Sequence, residues 1–497
     1  RHPDKEALVF ESSRLTYGQL LERVDRLASG LLELGLKKGD RVGIFLYNCR
    51  QAYESLLATA RAGLVFVPLN YMLNGPELAS IMSHAGVKVL IVESELFPVV
   101  EPVLSDVSTL EHTIGIDCDS DTLIDYDYLL GKEAKLRDKL QANEADLFGL
   151  MYTSGTTGLP KGVMLTHGNV VTHAQNMVRD YEIREFSKVF IILPYFVGAT
   201  LNGIGLPCLS QGGTIVIQRR FTPERFLQTI QGERITHVQV VPTLLVRLLQ
   251  TDVVGKFDIS SLEVFGYGSA PMPVDRLKQA LRTFGPIFSQ MYGLTETCAM
   301  STCLAREDHV LEGPEAERLK SCGRPVGGVD VRIVDETGSE RPDGEVGELV
   351  IRGPTVMRGY WESPDLTSQA VDDGWFRSGD LAYRDTDGYI FLNDRKKDLI
   401  ITGGFNVFPK EIEEVLYTHP AVFECAVVGK PDQEWGEAVA AFVSLRKGSK
   451  STEDELLQFC REKLSRFKRP KSVSFVDEIP RNPSGKVMKR LLREEDS

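Results

Sequence analysis

The residues best suited to chemistry form one run, Tyr152-Thr153-Ser154-Gly155-Thr156-Thr157-Gly158-Leu159-Pro160-Lys161-Gly162. Binding a phosphate requires backbone N–H groups close to the anion, and glycine permits that approach. The hydroxyls of Thr153, Ser154, Thr156 and Thr157 add donors, and Lys161 adds positive charge. Two residues separate Gly158 from Lys161, so the run lacks the adjacent Gly-Lys of a Walker-type loop. A solvated loop rich in glycine and hydroxyls is the plain alternative. Four hydroxyls, three glycines and a lysine within eleven residues weigh against it.

The run resembles the phosphate loop of the adenylate-forming superfamily, which holds acyl- and aryl-CoA ligases, peptide-synthetase adenylation domains and firefly-type luciferases. Other segments are similar to its motifs, in its order. Gly268-Ser269-Ala270-Pro271 looks like the adenine-contacting turn, and Tyr292-Gly293-Leu294-Thr295-Glu296-Thr297 matches YGxTE. Ser378-Gly379-Asp380 matches the ribose-binding SGD. Asp394-Arg395-Lys396-Lys397-Asp398, followed by Gly403-Gly404-Phe405-Asn406-Val407, matches the hinge and the start of the mobile domain. Asn482-Pro483-Ser484-Gly485-Lys486 matches the C-terminal lysine loop. The resemblance runs from Arg1 to about Leu492.

It implies a reaction in two halves. A carboxylate attacks the α-phosphorus of ATP and expels pyrophosphate; a thiolate then attacks the acyl-adenylate carbonyl and expels AMP. The first half brings two anions together, so catalysis rests on positioning and charge stabilisation. By resemblance, Thr153 to Lys161 hold the β- and γ-phosphates, Thr295 donates to the α-phosphate, and Glu296 holds Mg²⁺, a hard cation suited to carboxylate and phosphate oxygens. Tyr292 and Gly293, with Gly268 to Pro271, flank the adenine. Asp380 accepts both ribose hydroxyls, with Arg395 assisting. Lys486 bridges the acid's carboxylate and the α-phosphate. The plain alternative for Lys486 is a solvated lysine in a basic tail with Lys489, Arg490 and Arg493.

For the second half, the resemblance makes Lys397 the hinge about which the Lys486 loop gives way to the Gly403–Gly404 face. There the pantetheine thiol approaches. Ser465-Arg466-Phe467-Lys468-Arg469 could meet the phosphates of coenzyme A, or could be a solvated charge run. The acid pocket is assigned to Tyr195, Phe196, Val197, Gly266, Gly293, Leu294 and Met300, with plain core as the alternative for each. Pro194-Tyr195-Phe196-Val197-Gly198 aligns with a family motif PLFHxxG, but Val197 replaces its His. No Asp or Glu occurs between Lys188 and Arg220, so an amino acid's ammonium would lack a partner. Leu294 stands where acetate-specific relatives carry Trp, so the acid expected is larger than acetate, either fatty or aromatic.

The elements that position these residues follow from the pattern around them. Leu20, Leu21, Val24, Leu27, Leu31 and Leu32 share one face of a helix over residues 16–34, stopped by Gly35. Strands are expected at 40–46, 64–68, 87–92, 189–193, 214–217 and 237–241, with a helix at 51–62. That alternation implies α/β layers with largely parallel sheets. After Ser321 short strands at 329–335, 347–352 and 389–393 are separated by turns such as Asp343-Gly344 and Asp387-Gly388, which reads as a β-barrel-like or meander section. Beyond Asp394 an α+β unit follows, with helices at 409–416 and 453–464 and strands at 422–428, 438–445 and 472–476. Thr109 to Asp146 is polar and acidic and is expected to be a surface insertion or connection.

The fold class is therefore α/β: a large N-terminal domain of layered sheets with a barrel-like section, residues 1–393, and a small mobile α+β C-terminal domain, 394–497, hinged at 394–398. Composition agrees with a soluble enzyme: 42% of the 497 residues are apolar and 26% charged. A net charge of −13 argues against nucleic acid as partner. No apolar run approaches the roughly 20 residues that span a bilayer, and Arg1 to Phe10 lacks a signal peptide's apolar stretch. Eight scattered cysteines without a CxxC pair favour reduced thiols in the cytoplasm.

The expected activity is ATP-dependent carboxylic acid–CoA ligation, with ATP, Mg²⁺ and coenzyme A as cofactors and co-substrates and a homodimer left open. Alternatives are an enzyme that adenylates an acid without coenzyme A or delivers it to a carrier protein, a luciferase-like oxygenase, and a non-catalytic nucleotide-binding relative.

Overall fold

The computed structural model describes residues 2–494 except 119, 121, 134–141, 154–159, 199–200, 252, 434 and 483–485. Four sheets run through these residues. The largest begins with the antiparallel pair Glu6–Phe10 and Ser13–Thr16. It continues in parallel through Thr214–Ile217, Lys188–Ile191, His237–Val240, Val264–Gly268 and Phe288–Tyr292, and closes with antiparallel Thr302–Leu304 and Arg324–Pro325. The second places Arg41–Phe45 between Val65–Pro68 and Val87–Glu93, all parallel. Leu147–Thr153 and Lys161–Thr166 extend it as an antiparallel pair, and Gly359–Tyr360 docks on the outer edge.

Helices lie between and outside these sheets. Helix Tyr17–Glu33 begins with a capping box, in which Thr16 and Gln19 exchange hydrogen bonds with each other's backbone. Its Leu20, Val24, Leu27 and Leu31 share a core with Leu56 of helix Arg50–Ala62 and Val170 and Met177 of helix His167–Asp180. That core faces Ile44 and Val89 of one sheet and Val189 and Ile215 of the other. Burying Leu-sized side chains is worth about 1.5–3 kcal/mol each, which makes this shared layer the main tie between the sheets. The outer faces carry their own cores. Phe190, Phe265 and Phe288 pack against Phe226, Leu245 and Leu277, whereas Val67 and Leu90 pack against Leu78 and Met82.

The barrel-like expectation takes the form of an antiparallel sheet of Asp330–Val334, Gly347–Arg352 and Trp375–Arg384, with Val371–Asp372 and Ile390–Arg395 paired to the two ends of Trp375–Arg384 on its far side. The stretch 109–146 is not merely a surface connection. His112–Ile116 and Ile124–Asp125 continue the second sheet in parallel, and Tyr126 is buried with its hydroxyl on Glu54 at 2.9 Å. The fourth sheet contains Ile400–Thr402, Phe405–Val407, Val422–Asp432, Gly436–Leu445 and Ser472–Phe475, covered by helices Pro409–Tyr417 and Glu453–Lys463. Among the described residues no helix is long and apolar enough to cross a membrane.

Candidate functional site

The adjacent strands Val264–Gly268 and Phe288–Tyr292 end side by side. Gly268 has no room for a side chain, since a Cβ there would lie 2.3 Å from Met291 O. Ser269 follows at φ +67°, and Cys298 and Ala299 take φ +55° and +80°. Each such non-glycine residue costs roughly 1–3 kcal/mol and persists where its surroundings over-determine it. Here Leu294 N donates to Thr297 Oγ1 at 3.0 Å, Ala299 N to Leu294 O at 3.0 Å and Ser301 N to Tyr292 O at 2.7 Å. This closed turn carries Thr295 and Glu296 in a single 3₁₀ turn, Thr295–Thr297.

Asp380 comes from the third sheet, midway along Trp375–Arg384 and buried. Its Oδ2 accepts the Tyr292 hydroxyl at 2.6 Å, and its Oδ1 lies 3.2 Å from Arg395 Nε. Asp380 and Arg395 are also backbone partners, so strand register fixes the ion pair. Burial, and then the Asp380 carboxylate, push the Tyr292 phenol well above its usual value. Tyr292 therefore holds Asp380 through its hydroxyl, a tie that the motif match did not foresee.

Of the phosphate-loop candidates, Ser154, Gly155, Thr156, Thr157 and Gly158 lie outside the described residues. Thr153 and Lys161, at the two ends of the run, are paired across antiparallel strands. The Lys161 ammonium sits over the Tyr360 ring, 5.1 Å from its centre. Tyr360 in turn donates to Glu296 Oε1 at 2.9 Å.

Lys486 reaches this cluster from the C-terminal part. Its backbone is tied to Asn482, with Asn482 N donating to Lys486 O at 2.8 Å and Lys486 N to Asn482 Oδ1 at 2.9 Å. Burial, then the Arg395 guanidinium, hold the ammonium below the usual lysine range, while Asp380 and Glu296 pull it back up. Arg395, Asp380 and Glu296, all far from Lys486 in sequence, thus act together on its ammonium. At the junction, Asp394 accepts from Arg395 N at 2.9 Å and Lys410 N at 3.0 Å, and Arg493 grips Asp398 at 2.8 Å. Lys397 lies within that segment and is exposed.

Around Gly403 and Gly404 the surface is aromatic and basic. A Cβ at Gly403 would lie 2.6 Å from the Trp435 ring. Phe405 stacks on Phe467 at 4.9 Å, and Lys471 covers Trp435 at 4.9 Å. Arg466 and Phe467 are exposed, so this face is open to solvent.

The acid-pocket candidates divide. Phe196, Val197 and Leu294 are half-buried, and Phe196 meets Tyr71 edge-on at 5.0 Å. Tyr195 is 1% exposed, with its hydroxyl within reach of Ile44 O and, at 3.0 Å, Leu69 O. It pins the ends of two strands together and offers no wall. Met300 is likewise fully buried in the core. The space a side chain would take at Gly266 is filled by Gln239, whose Oε1 is 2.1 Å from a Cβ there and accepts the Tyr181 hydroxyl at 2.8 Å. Sequence reasoning missed Tyr360, Trp435 and Gln239; a glycine-aromatic-aromatic run, Gly359-Tyr360-Trp361, is the one signal that pointed toward the first.

A lysine near the C-terminus, set among the charges of an Asp, a Glu and an Arg that come from separate elements, is an arrangement suited to handling a nucleotide. The chain belongs to the AMP-binding enzyme family, which matches residues 1–361, with the family's C-terminal domain matching 411–486. It is 38% identical to a feruloyl-CoA synthase of Amycolatopsis sp over 99% of its own length and 96% of the relative's. It is 35% identical to the fatty acid–[acyl-carrier-protein] ligase ScoC of Streptomyces coeruleorubidus, covering 99% and 93%. The ATP-bound crystal structure of MatB from Rhodopseudomonas palustris superposes with a TM-score of 0.91 at 33% identity, covering 99% of this chain and 96% of that one. Apo MatB, with the same coverage, superposes at 0.81.

Proposed function

We propose that this protein is an ATP-dependent carboxylic acid–CoA ligase. It adenylates a fatty or aromatic acid larger than acetate, releases pyrophosphate, then forms the acyl-CoA thioester and releases AMP. The observation that carries the reading is Lys486 held within the field of Asp380, Glu296 and Arg395. In that place an ammonium can bridge an acid's carboxylate and the α-phosphate, offsetting the repulsion between two anions. Thr153 and Lys161 bracket the loop that takes the β- and γ-phosphates. Thr295 donates to the α-phosphate, Asp380 and Arg395 take the ribose, and Gly268 to Pro271 with Tyr292 and Gly293 border the adenine.

The Glu296 carboxylate fits a magnesium ion that arrives with the nucleotide. It is a half-buried oxygen donor beside Thr295, and no cluster of three or more metal-ligating side chains occurs among the described residues. One carboxylate completed by phosphate oxygens is how magnesium is commonly held. When bound, the ion would neutralise charge on the phosphate oxygens.

The thioester half requires the smaller part, residues 394–497, to turn about Lys397 and bring the Gly403–Gly404 face to the adenylate. Trp435, Phe467 and Arg466 suit the nucleotide end of coenzyme A, through stacking and charge. The better superposition on ATP-bound than on apo MatB supports the adenylating arrangement for the structure described above. Eight cysteines, all free thiols, suit the cytoplasm, where we locate the protein. The 35% identity to ScoC over nearly the whole chain favours a carrier-protein acceptor as the second reading.

Pyrophosphate release is the test, measured with ATP and Mg²⁺ across straight-chain, branched and aromatic acids, with and without coenzyme A. Acid-dependent release accelerated by coenzyme A, with a thioester product, is expected. Release indifferent to coenzyme A would favour the carrier-protein reading, and no release with any acid would contradict both.

A further inference from the structure

We propose that Tyr360 is a positioning residue that ties the exit of the phosphate loop to the Glu296 carboxylate, and so sets how tightly the magnesium–nucleotide complex is held. The inference rests on the reading that Glu296 meets that complex. Tyr360 touches both halves of the phosphate site. Its ring lies under the Lys161 ammonium at 5.1 Å, and its hydroxyl donates to Glu296 Oε1 at 2.9 Å. Tyr360 is 7% exposed, so both contacts are made from a buried residue.

The backbone around Tyr360 repeats the same bridge. Tyr360 pairs with Val163 and Gly359 with Met164, on the strand that begins at Lys161. Trp361 N donates to Gly162 O at 2.8 Å, while Met357 N donates to Glu296 O at 2.8 Å. Five consecutive residues, 357–361, therefore connect the end of the phosphate loop to both the main chain and the side chain of Glu296. Gly359 makes the approach feasible. Its φ is +147°, and a Cβ there would lie 2.7 Å from Thr367 Cγ2. Thr367 Oγ1 accepts from Tyr360 N at 2.9 Å, a bond to the main chain that leaves the ring's own contacts untouched.

The physical consequence is a fixed rotamer at Glu296. A carboxylate offers about four lone-pair sites, and the phenol uses one on Oε1, leaving the other oxygen for a cation. Outer-shell hydrogen bonds of this kind typically carry about 10–100-fold in metal affinity. The ring contributes separately, as a platform that holds Lys161 toward the phosphates.

The test is ATP binding to the full chain by calorimetry, titrated with Mg²⁺ and repeated in EDTA. Tyr360→Phe keeps the ring and loses the hydroxyl. It should raise the Mg²⁺ concentration for half-maximal binding about 10-fold and leave binding in EDTA unchanged. Tyr360→Leu should weaken binding in EDTA as well. In a Glu296→Gln background Tyr360→Phe should add little, because the two act as one unit. Thr367→Val is the control for general loosening, expected to lower the thermal midpoint without moving the Mg²⁺ requirement. Tyr360→Phe with the wild-type Mg²⁺ requirement would overturn the inference, and so would an equal shift in Thr367→Val. Wild-type binding that ignores Mg²⁺ would instead overturn the role given to Glu296.

Discussion

The sides of the site assigned to the nucleotide and to the acid border the same turn, residues 292–300, but they are built in opposite ways. On the nucleotide side each acidic group has a named partner: Asp380 with Tyr292 and Arg395, Glu296 with Tyr360. Strained backbone at Cys298 and Ala299 is locked by neighbouring hydrogen bonds. On the acid side, Phe196, Val197 and Leu294 offer half-buried apolar surface, and such surface tolerates exchange within about 1.5 kcal/mol when volume is kept. Chemistry common to every turnover is held by directional bonds that fail when one atom is lost. The part that must suit one particular acid is held by shape, which can drift.

The sharpest break of that contrast is Lys486→Ala. Pyrophosphate release should fall roughly 10²–10³-fold, the usual cost of removing such a charge-stabilising group. The apoprotein should be no less stable at neutral pH. The folded-state pKa of Lys486 lies below the ordinary lysine value. Holding it charged therefore opposes folding fully below the folded-state pKa, and the penalty disappears above the unfolded-state value. A thermal midpoint clearly lowered by Lys486→Ala would contradict this sign.

Asp380→Ala comes next. It removes the acceptor of the buried Tyr292 hydroxyl and the partner of Arg395. We expect ATP KM to rise about 100-fold and stability to fall by about 1–3 kcal/mol, read from initial rates and denaturant titration. Trp435→Ala tests the open face, and should raise KM for coenzyme A about 10-fold, near the ~1.5 kcal/mol of a lost aromatic contact, with pyrophosphate release in the absence of coenzyme A untouched. The smallest effect belongs to the acid side. Leu294→Trp should turn preference toward shorter acids by about 10-fold, with ATP KM unchanged; a general loss of activity would mean that Leu294 is core.

Why the two sides differed in legibility follows from their construction. Thr295 and Glu296 announce themselves because glycine, hydroxyl and charge fall within a few residues. Tyr360 and Trp435 do their work across the fold, against Glu296 and Gly403, and no local spacing signals that. Tyr195 reads as a pocket wall in the sequence because an aromatic beside Phe196 has the same composition whether it faces a ligand or, as here, two backbone carbonyls. The layers were legible where strands are buried on both faces, as at Val65–Pro68 and Thr214–Ile217. His112–Ile116 is hard to see in the sequence because a short strand one place in from the sheet edge, within a polar and acidic stretch, reads as polar connection. Trp375–Arg384 alternates buried and half-exposed residues along its length, and only its Ser-Gly-Asp centre stood out.

Thioester formation from a supplied acyl-adenylate, compared between the wild-type protein and Lys486→Ala, tests the central claim most directly. If the smaller part delivers Lys486 for adenylation and another face for thioester formation, the variant makes thioester at close to the wild-type rate although it cannot make the adenylate. Equal loss of both steps would contradict the account.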